Sequence, residues 1–526
     1  MMKKIYLLAG MAAMMLASCS TDEQSGGGYV PGEKVTLNAS LPNSGTRVSE
    51  ASSDTYGLVT NWSYDDSLDV LVNANTLVSM LNISNNTFTA MPANATIAAG
   101  FNAGQTIYGV NNKSNDNITT AVNGNQLKAT LDFTGQDGTV ENLAKYDLMY
   151  GKGDPTTNIT FNHKICVLRL DLSSDSLMAD KMTSLTGLKL KYVPWSGTQL
   201  FASQEVYNFG TTCDSTITSV DSIYFNKTNV TVSNGKATVY IAVPSRQNLY
   251  GTLYIHLKAS NGTTCKAYDL ANPIAFGNVR MKISTVHPQA ITNLTGTTVK
   301  VGDYLFHDGS WGSLADSFGA TPIAVIFSKN TSTADKGYKW THGYAMAMKE
   351  LNLAAWIGPT TISENPTGTS ISTSAALILD KDGYTHTTSI NSDAYPAAYA
   401  AATTYNTTIA APGNTSGWYL PSIGQWYDIC VNLGKMIPLG YKDQTKFLYW
   451  EGAASACANN LNVYLTPLTN GIYDAFQISD LYWSSSESGS DKYGAYAAYF
   501  NSYTGNMYLE TNSKGSMTNV RSVIAF

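Results

Sequence analysis

The chain has 526 residues, which at roughly 150 residues per domain makes about three to four domains. Lys and Arg number 32 against 38 Asp and Glu, a net charge of −6, and charged residues make up 13% of the chain, against ~25% in average globular proteins. That excludes a basic nucleic-acid surface, which needs clustered cations to displace phosphate counterions. With 43% hydrophobic residues and 33 Tyr, it also excludes charge-driven disorder, and the remainder reads as an exported β-protein.

At the start of the chain, Lys3 and Lys4 precede an apolar run over residues 5–16 that is too short to span a bilayer. It ends in Leu16-Ala17-Ser18-Cys19, which resembles a bacterial lipobox, with Cys19 as the acylated residue. Several acyl chains, at about 0.8 kcal/mol per buried CH₂, would hold such a precursor on a membrane. Residues 20–32 read as a flexible tether, and no later segment is long and apolar enough to cross a membrane as a helix. The other five cysteines, Cys166, Cys213, Cys265, Cys430 and Cys457, share no CxxC spacing, and an odd number leaves at least one free.

Alternation of period two runs through residues 33–290. Val35, Leu37, Ala39 and Leu41 define one face of a half-buried strand, which a polar loop containing Arg47 follows. Asn234-Gly235 predicts a type I′ hairpin, and Asn261-Gly262 a second turn after Leu253, Ile255 and Leu257 on a common face. Two antiparallel β-sandwiches fit this pattern. After Pro288 the character becomes α+β. Residues 344–356 read as helix-like, and Ser422 with Gln425 forms a capping box that opens a helix carrying Ile423, Trp426, Cys430 and Leu433, with Gly434 as the stop. Strand-like pieces fall at Trp418-Tyr419-Leu420, Leu481-Tyr482-Trp483 and Tyr499-Phe500, and residues 360–415 read as a long irregular, aromatic-bearing stretch.

Two families are resembled. Trp62, Asp66, Leu68 and Val70, then Tyr146-Asp147-Leu148-Met149, Phe161 to Leu170 and Val239 to Pro244, resemble in order and spacing the fimbrillins, the pilus subunits of Bacteroidales. That resemblance implies transthyretin-like sandwiches, export as a lipoprotein, and cleavage by a trypsin-like protease after an Arg in the loop behind the first strand. The chain has five Arg residues, and Arg47 stands in that loop, so the cut falls between Arg47 and Val48. Release of the first strand then opens a groove for a strand from the next subunit. Val301-Gly302-Asp303-Tyr304, Asp308-Gly309-Ser310-Trp311, Gly417 to Ser422, Tyr482 to Glu487 and Val520 to Phe526 resemble the Fibrobacter-succinogenes-major-paralogue type of domain, which has a C-type-lectin-like fold. Trp418, Trp426 and Trp483 are expected in its core.

The expected fold is therefore mainly β: a signal peptide over 1–18, a lipidated propeptide with the first strand over 19–47, sandwiches over 48–160 and 161–292, and a C-type-lectin-like α+β domain over 293–526. The Glu-Pro-Asn and Trp-Asn-Asp triplets of calcium-dependent lectins are absent, and Asp380-Lys381-Asp382-Gly383 reads as a turn. Nucleophile-elbow, phosphate-loop and zinc-protease motifs are absent, and the six His residues are dispersed, so no catalytic residue, metal or cofactor is expected. The expected role is a fimbrial tip subunit, since residues 523–526 look consumed within the last domain. Its partners are other fimbrillin subunits, a host or bacterial surface ligand with glycans among the candidates, and the outer membrane through the precursor's lipid. Trp340, Trp356, Tyr384, Tyr395 and Tyr399 are the candidate ring-stacking residues. Two alternatives are a non-polymerising surface lipoprotein that binds polysaccharide and an accessory subunit that only caps the fibre.

Overall fold

The computed structural model describes residues 35–526 except 42–48, 51–57, 60, 61, 63–65, 74, 85, 91–94, 113–116, 227, 229, 284, 360–364, 440–446 and 469–472. Cys19, Arg47 and Val48 lie outside the described residues. The described chain is mainly β, arranged in several sheets with helices concentrated after residue 330.

The first sheet runs Asn158–Thr160, Val35–Ser40, Thr87–Ala90, Thr76–Ser84, Ser67–Val72, Ile107–Asn111, Met149–Gly153, Asn162–His163. A four-stranded sheet faces part of it, in the order Cys213–Val220, Phe201–Phe209, Gln126–Asp132, Ile118–Asn123. The hairpin Phe201–Val220 thus pairs with a strand some 70 residues earlier in the chain, in register from Gln204↔Asp132 to Phe209↔Leu127. Leu127, Leu131, Tyr207, Phe209, Val167 and Tyr240 share one buried cluster, so side chains from both sides of residue 160 form a common core.

Next comes a sandwich whose smaller sheet has Cys166–Ser173 at its centre, between Lys236–Val243 and Val286–Ile291. Its inward Leu168, Leu170 and Leu172 meet Leu188, Leu190, Leu253, Ile255 and Leu257 from the larger sheet, which contains Ser184–Pro194 and Arg246–Ser260. The period-two reading holds here because one face is buried. Asn234 (φ 51°) and Gly235 (φ 71°) both take the left-handed conformation that a type I′ turn requires. Near the junction of the first two units, burial pulls the His163 imidazole down, but the Asp147 carboxylate, 2.6 Å away, overrides this and holds it above its ordinary value.

The C-terminal unit is α+β. One six-stranded sheet places Val523–Ala525 between Tyr344–Ala347 and Trp418–Tyr419; the other contains Leu481–Glu487 and Gly494–Phe500. The capping box forms as expected, with Ser422 and Gln425 bonding reciprocally, and Ile423, Trp426, Cys430 and Leu433 are buried. Trp418, Trp426 and Trp483 are core residues. Arg521 is fully buried and donates to the carbonyls of Ala347 (3.2 Å), Met348 (3.1 Å) and Asp474 (2.8 Å), with its guanidinium 4.1 Å from the Phe476 ring centre. A planar guanidinium ties together loops that no aliphatic side chain could satisfy.

Two expectations fail. Residues 344–356 form strands, Tyr344–Ala347 and Leu351–Ala355, not a helix. Tyr344–Ala347 is buried on both faces, so the Ala/Met run carries no polar alternation to distinguish strand from helix. Residues 374–408 are helical in large part, not an irregular stretch: Ser374–Leu379, Gly383–Ile390, and then a continuous run in which a π-helical turn, Ala400–Thr404, joins Pro396–Tyr399 to Tyr405–Thr408. The first two are too short to show a helical period, and the π-turn shifts the period of the third. Asp380 to Asp382 makes the turn between the first two.

The C-terminal unit is keyed to the second sandwich. Phe318, at φ 51°, lays its ring over Gly187, where a Cβ would stand 2.8 Å from the ring. Lys258 is buried and donates to the Ser317 carbonyl (2.8 Å) while lying over the Phe306 ring (4.5 Å). Lys189 pairs with Asp316 at 2.6 Å. Gly187→Ala should displace Phe318 and destabilise this junction by about 1–3 kcal/mol, as overpacking does. Calorimetry should resolve a separate, earlier transition; a single unshifted transition would disprove the keying. Burial pushes the Asp316 carboxyl up, but hydrogen bonds from Lys189 and Ser313 outweigh this and hold it below the usual aspartate range. A depressed carboxylate pKa gives stability that is complete above the unfolded value of about 3.9 and lost as pH falls through the folded value. The junction should therefore loosen only in acid below about pH 4, measured as limited proteolysis between the units.

Candidate functional site

Strand Val35–Ser40 is a single strand seated in a slot. It pairs antiparallel with Thr87–Ala90 (Leu37↔Phe88) and parallel with Asn158–Thr160 (Ala39↔Ile159). The Phe161 amide donates to the Ser40 carbonyl at 2.8 Å, and Thr87 Oγ1 donates to Asn38 Oδ1 at 3.1 Å. Only Leu37 and Ala39 of this strand point fully into the core, among Leu68, Val70, Met80, Phe88, Ile159 and Phe161. Trp62 covers this seat edge-on, 5.0 Å from Phe88 and 5.7 Å from Phe161 between ring centres.

Strand Val523–Ala525 is held differently. It has antiparallel partners on both sides, Tyr344–Ala347 and Trp418–Tyr419. Val523, Ile524, Ala525 and Phe526 are all buried, and the Phe526 carbonyl accepts from the His342 amide at 2.8 Å. Burying a Leu, Ile, Val or Phe side chain contributes about 1.5–3 kcal/mol, so one such anchor holds the first strand while three hold the last.

The five candidate ring residues separate into two places. Trp340 and Tyr384 meet edge to face at 4.7 Å, and Tyr338 stacks on Trp340 at 4.9 Å, forming a three-ring ledge. The ledge is supported from below: Thr331 Oγ1 donates to the Trp340 carbonyl (2.7 Å), and Tyr344 donates its hydroxyl to Asp335 (2.5 Å), whose carboxyl burial pushes up. Burial also raises the Tyr384 hydroxyl, with Tyr338 and Asp335 adding to it. Tyr338, 56% exposed, is the ring that sequence reasoning missed; its only signal is the two-residue spacing to Trp340. Tyr395 meets Trp356 edge-on at 5.9 Å, and Tyr399 lies at the end of helix Pro396–Tyr399. Trp356 itself leaves the ligand set, because it is 1% exposed, donates Nε1 to the Ser484 carbonyl (2.8 Å) and is covered by Lys514.

Ser485, His386 and Asp380 approach a nucleophile–base–acid line, with Ser485 Oγ 3.2 Å from His386 Nδ1 and His386 Nε2 3.7 Å from Asp380. Ser485 is wholly buried and Ser486 donates to the Asp380 carboxylate, so the group ties helix Gly383–Ile390 to strand Leu481–Glu487. No cluster of three or more His, Cys, Asp or Glu able to hold a metal occurs among the described residues. All five described cysteines are free thiols.

No protein-family model and no curated protein matches this chain. Among solved structures it is similar to a fimbrial protein from Bacteroides ovatus, at 12% identity and TM-score 0.27, covering 94% of this chain and 100% of that one. A fimbrial protein from Bacteroides vulgatus is similar over 50% of this chain and 98% of its own, at 10% identity and TM-score 0.29. The minor pilin of Streptococcus agalactiae is similar over 51% and 98%, at 11% identity and TM-score 0.18.

The burial contrast between Trp356 and Tyr338 is measurable. Trp356→Ala should cost about 3–5 kcal/mol of stability, and Tyr338→Ala should stay within about 0.5 kcal/mol. Denaturant unfolding of the two variants checks this, and equal losses would disprove the assignment of core and ledge.

Proposed function

We propose that this chain is an adhesin-type fimbrial subunit that stands at the fibre tip. The observation that carries this reading is the slot: a strand with two core side chains, paired on both edges, ending seven residues before Arg47 in the sequence. In the proposed sequence of events the precursor is exported as a lipoprotein on Cys19 and held in the outer membrane. A trypsin-like protease then cuts between Arg47 and Val48, and the strand leaves with the lipid. The exposed N–H and C=O groups of Thr87–Ala90 and Asn158–Thr160 accept a strand from the next subunit, because unpaired buried backbone groups are costly to leave. Strand Val523–Ala525, committed to its own sheet by the buried Val523 and Ile524 and anchored by Phe526 just beyond it, is not lent in turn. A subunit that accepts a strand without lending that one fits the end where growth begins.

The C-terminal unit is proposed to have the C-type-lectin-like fold and to present the Tyr338–Trp340–Tyr384 ledge to a host or bacterial surface ligand. Aromatic faces of this kind stack on sugar rings and keep a polar edge toward water.

Arg47→Ala in the producing cell is the test. Immunogold labelling with antibody against residues 300–526 should mark single ends of sheared wild-type fibres. In the variant the label should stay on cell bodies, with the chain still lipidated. Label on cell bodies only, in wild type and variant alike, would replace the tip reading with that of a standing surface lipoprotein.

A further inference from the structure

A cleft of about 560 Å³ lies between the outer face of the larger sandwich sheet and the turn Leu314–Asp316 of the C-terminal unit. Its volume is within the ~300–1,000 Å³ range of small-molecule sites. The register aligns its floor: Lys189 opposes His256, which opposes Asp269, and one row along, Lys191 opposes Tyr254. Residues two apart in a strand share a face, so Lys189 with Lys191, and Tyr254 with His256, all look outward.

The charges in the cleft nearly cancel. Asp316 pairs with Lys189 at 2.6 Å, and Asp269 lies 2.5 Å from His256 Nδ1, while Lys191 is an exposed cation at the rim. The His256 ring stacks on Phe318 at 5.4 Å, and its Nε2 has no hydrogen-bond partner among the described residues. Tyr254 is 44% exposed and Tyr224, beside Lys189, is 45% exposed. Two large rings left open on a sheet face, next to paired carboxylates and ammonium groups, make a surface with both donors and acceptors and little net field. An anion would face Asp269 and Asp316, and a cation would face both lysines. A neutral ligand rich in hydroxyls meets neither penalty, because each hydroxyl donates to a carboxylate and accepts from an ammonium group.

We propose that this cleft is a binding site for a neutral oligosaccharide, with Tyr254 as the ring platform and Lys191, Asp269 and Asp316 as hydroxyl partners. The site is separate from the Tyr338–Trp340–Tyr384 ledge and does not depend on the fibre reading, since it is built from the sandwich and the keyed junction.

The test is a glycan array carrying neutral and sulfated oligosaccharides, probed with the purified full chain, followed by titration of the best neutral ligand by calorimetry. Tyr254→Ala should weaken that binding at least tenfold with unchanged thermal unfolding, and Lys191→Ala should weaken it severalfold. Tyr384→Ala should leave it unaltered. The proposal is overturned by an array without a neutral ligand, by binding confined to sulfated glycans, by Tyr254→Ala and Lys191→Ala both binding as wild type, or by loss in Tyr384→Ala alone.

Discussion

The backbone of Val35–Ser40 fills a space one strand wide, and the organisation of the first sheet depends on it. Two neighbouring strands, Thr87–Ala90 and Asn158–Thr160, have no hydrogen-bonded contact with each other; each meets only the strand between them on that side. Their N–H and C=O groups are satisfied by main chain that carries little side-chain weight. Hydrogen bonding from the backbone is indifferent to sequence, whereas seating in the core needs side chains at alternate positions. Leu37 and Ala39 supply the minimum of the second kind. A different strand with small or medium apolar residues at the same two positions meets the same requirement.

The C-terminal unit follows another rule. A chain with so few charges places several of them inside: Arg521 among three carbonyls, Lys514 against Glu487, and Asp380 under Ser486. Replacing one member of such a network leaves a partner buried without compensation, which is more costly than the net value of the pair. These contacts join segments far apart in sequence, such as residues 347 and 521, and they specify one arrangement of the short helices and strands that are individually weak. The residues that resemble a family signature in this unit, Tyr482 to Glu487 and Val520 to Phe526, are largely the members of these buried contacts.

What could be read from the sequence came from local physics. Alternation at 35–41, the Asn234-Gly235 turn and the Ser422–Gln425 cap each depend on neighbours within a few residues, and each formed as expected. The mainly β character was legible for the same reason. Errors arose where burial on both faces erased the pattern, as at Tyr344–Ala347, where helices of six to eight residues left no period, as at Ser374–Leu379 and Gly383–Ile390, or where a π-helical turn broke the period, as at Ala400–Thr404. Most of the ledge was legible, because Trp340 and Tyr384 are polar-flanked aromatics. Trp356, between Ala355 and Ile357, carried an apolar flank that already pointed inward, and it is buried among Ile390, Ala397 and Trp483 with Lys514 over its ring. The cleft was not legible at all: Lys191, Tyr254, Asp269 and Asp316 are brought together by strand register and by the keyed junction.

The way Phe318 sits on Gly187 has a mechanical consequence. The ring enters a position with no side chain of its own, flanked by Lys258 and the Lys189–Asp316 pair, so the junction has a shape lock beside its charges. On the other side, the hairpin Phe201–Val220 splices the second sandwich to the first through shared sheet and core. A sideways force on the C-terminal unit is then borne at the junction as shear between fitted surfaces, with side chains to displace before the chain between the units is stretched. The load passes along the sheets toward the slot, where antiparallel and parallel ladders on either side of one strand resist sliding together.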